Sequence, residues 1–581
     1  MNISKATILA FWKRRKLFII GFFASVIPAT YLMLLTLGYD KGSIILSQNI
    51  WSDFQGHIPL IRSFSQGNNI LLESPTFSGE LIRYHFGFYF VVALLELLGV
   101  RIDIAINALS IVGFAGLLAL VYLGATKLSG KIVAGLIAVI LILFNSSLSW
   151  YYYLSDSFLG LKSIGEIMGN KVFGSFGPYD DNIISAFWSL NVYIHQRHLA
   201  FAFVIFALAW ILISLPHSSS KKLVALVLIA LLSWVNIAVL AMLFVAISIT
   251  IFSQYLHKQS WKKSLITLLL GILLSFPSLL LIMFSSTTST SEGIRFLPGF
   301  IYYGTTWHEF AIEDKFLRWI VYWFMNLGLL PIISFFGFLI LKPSLRSNIK
   351  NKKEAVFYFL KSIFASNRLP FLVAWAIFII ANIFVFARDP ATNHKFINLV
   401  IIIWSVYAAA FIVKLLKGKT MVFGVLLILI LTAGGFFDLW PIVNANKHTW
   451  KDIPASDTAI WIKNNTAPES VFLNITSDFN PVMSTGRRLY FGPEYINWSL
   501  GYNTLRRLAE MQVIISGGLD QDEMCSFVQR NKIDYVIMTS APDTYLERNI
   551  DYEYFRNTFD LLFSNEIGYY FIYDAKSPCS I

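Results

Sequence analysis

Asp53 is the first residue of this chain placed where it could do chemistry. It stands in Ser47-Gln48-Asn49-Ile50-Trp51-Ser52-Asp53-Phe54-Gln55-Gly56-His57, directly after the first long apolar run. A carboxylate beside hydrocarbon costs several kcal/mol unless it pairs, takes a metal or takes a proton. Its plain alternative is an acid solvated at a loop surface. As a general base on a hydroxyl, a well-placed carboxylate typically contributes 10²–10⁴-fold. His57 follows four residues on, on the same side if Trp51–Phe64 is helical. Further polar groups lie at separate points: Arg83 and His85 around Tyr84, Asp156, the pair Asp180-Asp181, then His195, Arg197 and His198, and finally Arg388, Asn393, His394 and Lys395. A second acid could hold a divalent ion, and Asp156 is the candidate. Arg388 and Lys395 suit a phosphate or pyrophosphate on a lipid, Arg bidentately. His195 and His198 suit helix capping equally well, Arg197 snorkelling, Lys395 an interfacial anchor, and Asp180-Asp181 a solvated turn.

The elements that must position these groups are membrane helices. Of the 581 residues 56% are hydrophobic and 14% charged, against about 25% charged in soluble domains. The net charge of +12 falls in short basic clusters between apolar runs, which a membrane explains and nucleic acid does not. Lys13-Arg14-Arg15-Lys16 sets the N-terminus inside, ahead of the span Leu17–Leu37. Basic clusters then mark the inner side of Ile104–Thr126, Ile132–Tyr153, His198–Leu215, two spans within Leu223–Tyr255 broken at Trp234-Val235-Asn236, Leu265–Ser285, Phe316–Leu341, Leu369–Phe386, Phe396–Val413 and Met421–Phe437. That makes eleven spans. His85–Gly99, interrupted by Glu96, is short; were it to cross, Lys127 and Lys131 would land outside, so it reads as an interfacial or re-entrant helix.

The acids collect on one side. Glu354 alone falls in an inner segment; the other acids before the C-terminal region, Glu96 apart, lie in an outer loop or at the outer end of a span: the large loops 38–103, 154–196 and 286–315, the short loop holding Asp389, and Asp438 after the last span. From Asp438 on, apolar runs shorten. Thr458–Asn464, Met511–Ile515 and Asp522–Arg530 predict helices, and 471–475, 535–538 and 569–573 predict strands. The expected fold is a polytopic α-helical membrane protein, with a bundle over 1–437 and a small extracytoplasmic α/β domain over 438–581. Cys525 and Cys579 can pair if that end is outside, but make no framework. A Walker-type loop, a dinucleotide glycine pattern, a paired-histidine zinc motif and a nucleophile elbow are missing.

This arrangement resembles the GT-C superfamily of polytopic glycosyltransferases, which includes protein O-mannosyltransferases, aminoarabinose transferases and oligosaccharyltransferases. Trp51-Ser52-Asp53 follows the first span, where the family keeps its catalytic acid. Arg83-Tyr84-His85-Phe86-Gly87-Phe88-Tyr89 takes the place of its interfacial segment, and Thr126-Lys127-Leu128-Ser129-Gly130-Lys131 that of its basic hinge. Asp156 takes the place of its second acidic motif, and Asn393-His394-Lys395-Phe396 resembles its late outer motif. Trp461-Ile462-Lys463-Asn464-Asn465-Thr466 through Ile533-Asp534-Tyr535-Val536-Ile537-Met538 looks like the outer domain of bacterial members. The departures are Phe54 in place of a second acid, no Pro-Pro at the interfacial helix and no Trp-Trp-Asp motif; the last two absences argue against an oligosaccharyltransferase and leave the acceptor open.

The resemblance implies inverting transfer of a sugar from a polyprenyl-phosphate-type donor to a glycan, lipid or protein acceptor at the outer face, in a bacterial plasma membrane. It implies Asp53 as catalytic base, with His57, Arg83, His85, Asp181, His195, His198, Arg388, Asn393, His394 and Lys395 binding substrate. A divalent cation, Mg or Mn, on Asp156 would be the one cofactor. A transporter or flippase of lipid-linked glycans, or a non-catalytic envelope assembly protein, are the rival readings; a transporter places ionisable groups near the membrane midplane.

Overall fold

The computed structural model describes residues 5–145, 147–148, 150, 164–173, 190–215, 219–284, 294–299, 314–343, 358–359, 361–474, 479–540, 550–566 and 568–579. It forms two compact units. One comprises Met1–Leu35, Ala108–Phe276 and Gly293–Asn446; the other comprises Thr36–Asn107, Pro277–Glu292 and Lys447–Ile581.

The first unit is built of apolar helices. Among the described residues seven helices are long and apolar enough to cross a membrane: Arg15–Thr36, Ile102–Ser129, Arg197–Ser214, Ile237–Leu256, Trp261–Ile282, His394–Leu415 and Gly418–Val443. Lys315–Leu327 and Leu330–Ile340, bent by 85°, make an eighth if they are one broken span. The other expected spans fall on helices of 13, 17 and 15 residues, Ile132–Phe144, Ser219–Val235 and Leu369–Ile383; the second is at the lower end of the roughly 17–25 residues of a span, and the other two are about a turn or less below it. The run Leu223–Tyr255 breaks at Asn236, whose side chain accepts from the Val239 amide at 3.1 Å and so caps the helix that follows. Capping satisfies one of the donors a new helix leaves unpaired. His394–Leu415 is the centre of this unit, with 89% of its span buried. Small residues let helices close on it: a Cβ on Gly337 would strike the Tyr407 carbonyl.

The second unit begins with a hairpin, Leu37–Asp40 against Ser43–Ser47, turned by Lys41 and Gly42, both at positive φ. That geometry matches the twist of a two-residue hairpin. Lys447–Lys451 adds a third antiparallel strand beside Ser43–Ser47. The helix Trp51–Ser65 follows, and Gly87–Leu97, the expected interfacial piece, is an 11-residue helix, too short to cross a bilayer. A five-stranded sheet runs in the order Arg488–Leu489, Val471–Asn474, Tyr535–Thr539, Tyr570–Asp574, Asp560–Ser564; the first three strands are parallel and the last two antiparallel to their neighbours. Its core includes Leu473, Val536, Met511, Ile514 and Phe527. The strands and helices expected after Asp438 are therefore present, in a small mixed sheet with Asp457–Asn465, Thr504–Ile515 and Gln521–Asn531 as helices. Cys525 and Cys579 are bonded, tying Gln521–Asn531 to the Ser577–Cys579 turn.

Candidate functional site

Trp51–Ser65 is a helix buried nearly all round from Phe54 on, with Phe54, Ile58 and Ile61 among its buried residues, while Asp53 sits in the first turn. An acid there is favoured by the helix dipole. One turn on, the His57 ring stacks on Tyr89 with centroids 4.6 Å apart and lies 6.3 Å from Tyr84. Tyr84 in turn lies 4.0 Å from the His85 ring. Burial first, and the negative charge of Asp53 second, push the Tyr84 phenol well above its usual range. Asp53, His57 and His85 thus share one aromatic surround. Trp51 packs on His448 and Phe479 at 4.5 and 4.0 Å. Arg83 is buried and differently engaged: it donates to the Gly501 carbonyl at 2.6 Å and to Glu80 at 2.9 Å, with its guanidinium 4.6 Å over the Tyr502 ring.

The other end of the same helix carries a buried ionic network that sequence reasoning missed. Arg62 contacts Glu96 at 3.2 Å and Asp452 at 2.8 Å, all three nearly inaccessible. Ser65 donates to Glu96 at 2.5 Å and the Tyr39 hydroxyl to Asp452 at 3.1 Å. Burial raises the Glu96 pKa, with Arg62 pulling the other way. The available signal is Glu96 itself, an acid inside an apolar run that must find a cation. The backbone closes up at the helix end, where a Cβ on Gly67 would strike the Gly486 carbonyl.

The first unit assembles a second polar group. The Gln196 amide lies 3.1 Å from His394 Nε2, and His394 Nδ1 lies 2.9 Å from Asn398 Oδ1. With the amide nitrogen donating, Nε2 accepts and Nδ1–H donates, the neutral tautomer. This brings the His195–His198 stretch beside the Asn393–Lys395 stretch. His195, His198, His394 and Lys395 are all buried. Asn393 secures the preceding turn, donating to the Ala381 and Phe384 carbonyls at 2.9 and 2.7 Å and accepting from the Phe386 amide at 3.3 Å. Arg388 is half-buried, and its carbonyl accepts from Arg295 at 3.4 Å. Arg295 is a second guanidinium at this point, carried by the short strand Arg295–Phe296 paired with Phe384–Val385. It too is missing from the sequence-based set.

Asp156 and Asp181 lie outside the described residues. Among the described residues no group of three or more His, Cys, Asp or Glu could hold a metal.

No family model matches the sequence, and no curated protein matches it. The solved structures to which the chain is similar include two oligosaccharyltransferases from Archaeoglobus fulgidus. The first is the archaeal oligosaccharyltransferase AglB from Archaeoglobus fulgidus in complex with an inhibitory peptide and a dolichol-phosphate: TM-score 0.49, 11% identity, covering 91% of this chain and 70% of that one. The second is the Archaeoglobus fulgidus oligosaccharyltransferase complex with Zn and sulfate: TM-score 0.45, 12% identity, covering 89% and 68%. AglB is a GT-C type glycosyltransferase. At these scores the likeness carries no argument about activity.

Proposed function

We propose that this chain is an inverting glycosyltransferase of GT-C type, moving a sugar from a polyprenyl-phosphate-type lipid donor to an acceptor at the outer face of a bacterial plasma membrane. In this reading the bundle of 1–437 crosses the membrane eleven times from an inside N-terminus, and 438–581 is extracytoplasmic. The Cys525–Cys579 bond supports that placement, since disulfides persist in oxidising compartments.

The observation that carries the reading is the holding of Asp53. Its helix is fixed by the buried Arg62–Glu96–Asp452 network and its surround is aromatic. A reacting group held by locked neighbours is what a catalytic base requires. Asp53 takes the proton of the acceptor hydroxyl as that oxygen attacks the anomeric carbon. The bond from that carbon to the phosphate oxygen breaks, and Arg388 and Lys395 balance the charge of the departing lipid phosphate. His195, His198, Asn393, His394 and Asp181 belong to the donor side; His57, Arg83, His85 and the C-terminal segment belong to the acceptor side. Asp156 would be the ligand of a divalent ion, which would supply charge neutralisation at the phosphate.

The test is sugar transfer from a lipid-linked donor by the full-length protein in nanodiscs. Asp53→Asn is expected to lower kcat by 10²-fold or more with the fold intact, on the scale of general-base catalysis. Undiminished transfer by a folded Asp53→Asn protein removes Asp53 from the mechanism.

A further inference from the structure

We propose that the groove between the first helix and Ile102–Ser129 holds one anionic phospholipid of the surrounding bilayer. The two helices run antiparallel. Leu37, just past the end of the first, accepts from Asn107 near the start of the second at 3.0 Å. Further along, the first helix meets the second at Gly21, where a Cβ would fall 2.7 Å from the Tyr122 ring. Beside that crossing opens an apolar groove of about 540 Å³ whose walls include Phe18, Phe22, Ala119, Tyr122 and Leu123. The volume is that of a small-ligand site. Its phenylalanines are half exposed or more, so the groove is open on the lipid side.

One feature distinguishes it from ordinary lipid-facing surface. At 1.5 Å rise per residue, Lys16 and Lys127 each lie five residues, or about 7.5 Å, from the crossing and toward the same end. Arg15 stands next to Lys16, and all three are exposed. An acyl chain in the groove would therefore carry its headgroup into a cationic rim. The charges select the lipid: a zwitterionic headgroup carries no net charge for the rim to attract, whereas an anionic one gains from each basic residue near the surface.

Native mass spectrometry of the full-length protein, titrated with phosphatidylglycerol or phosphatidylcholine, tests this. One phosphatidylglycerol per chain is expected to bind at least tenfold more tightly than phosphatidylcholine. Lys16→Gln with Lys127→Gln is expected to remove about tenfold of that preference. Ala119→Trp, which fills the groove, is expected to abolish the tight site while the basic rim stays in place. Thermal unfolding run in parallel identifies folded variants, and the exposed lysine pair gives a second readout should Ala119→Trp fail to fold. Equal binding of the two lipids, or an unchanged tight site in folded Ala119→Trp, overturns the proposal.

Discussion

Arg62 is the residue on which the acid-bearing helix most depends, and Arg62→Met isolates its contribution. The substitution keeps the length and most of the volume of the side chain, so the cavity term is small. What it removes is the guanidinium that bridges two buried carboxylates, at 3.2 Å from Glu96 and 2.8 Å from Asp452. Breaking a buried pair by removing one partner costs about 3–5 kcal/mol, because the charge left behind stays desolvated. Here two charges are left. For a unit of this size, each kcal/mol moves Tm by about 2–4 °C, so a fall of about 10 °C is expected. Glu96→Gln should behave differently. Burial is the largest influence on Glu96 and opposes its charge, so the amide removes that cost: its oxygen still accepts from Arg62, while its NH2, in place of the second carboxylate oxygen, faces the Ser65 hydroxyl as a donor. Its expected cost is about 1 kcal/mol, the worth of one weakened hydrogen bond. The assay is thermal unfolding of the full-length protein followed by tryptophan fluorescence, with buried Trp450 reporting from the same unit. If Arg62→Met unfolds within about 2 °C of the parent, under 1 kcal/mol by the same scale, or if Glu96→Gln is the more damaging change, the network does not hold the helix and the argument fails.

Tyr39 predicts an alkaline limit. Burial, then the charge of Asp452, push its phenol up from 10.0 to about 12. The folded state therefore holds this proton more tightly than the unfolded chain does. The resulting stability is complete below pH 10 and is lost as pH rises toward 12. Tyr39→Phe should flatten the fall in stability over that interval; an unchanged slope would show that another group causes it. For the disulfide, closing 54 residues between Cys525 and Cys579 is worth about 4 kcal/mol on the chain-entropy model. Replacing both with Ser should lower Tm accordingly, and alkylation without reductant should leave both unlabelled in the native membrane. Full labelling of the two thiols there would place this segment in a reducing compartment.

Long-range periodicity and composition made the helices legible. The break near Asn236 could be read because the run Leu223–Tyr255 is too long for one span; that Asn236 caps the second helix is visible only in the structure. The strands after Val471 could be read because β-branched and aromatic residues run in short stretches between turn residues. The environment of each candidate side chain could not be read in this way. Arg83 and Asn393 stand in motif-like positions, yet their donors meet the Gly501, Ala381 and Phe384 carbonyls, which no local pattern announces. Gln196 and His394 meet at a separation of 198 residues, and Arg295 reaches Arg388 only because two two-residue strands pair. Glu96 lies between these cases: its misfit in an apolar run is visible, but its partner Arg62 lies on another helix and Asp452 far down the chain.

The hairpin at Leu37–Ser47 receives its third strand from Lys447–Lys451, and Arg62 receives Asp452 from 390 residues away. A ribosome has therefore made all the membrane-length helices among the described residues before the seat of Asp53 can be completed. Until then the Ser43–Ser47 edge stays unpaired, and an open strand edge invites wrong partners and aggregation. A product cut short after the last apolar helix would keep its hydrophobic bundle yet leave this nascent corner unfinished, marked for quality control and without a fixed acid.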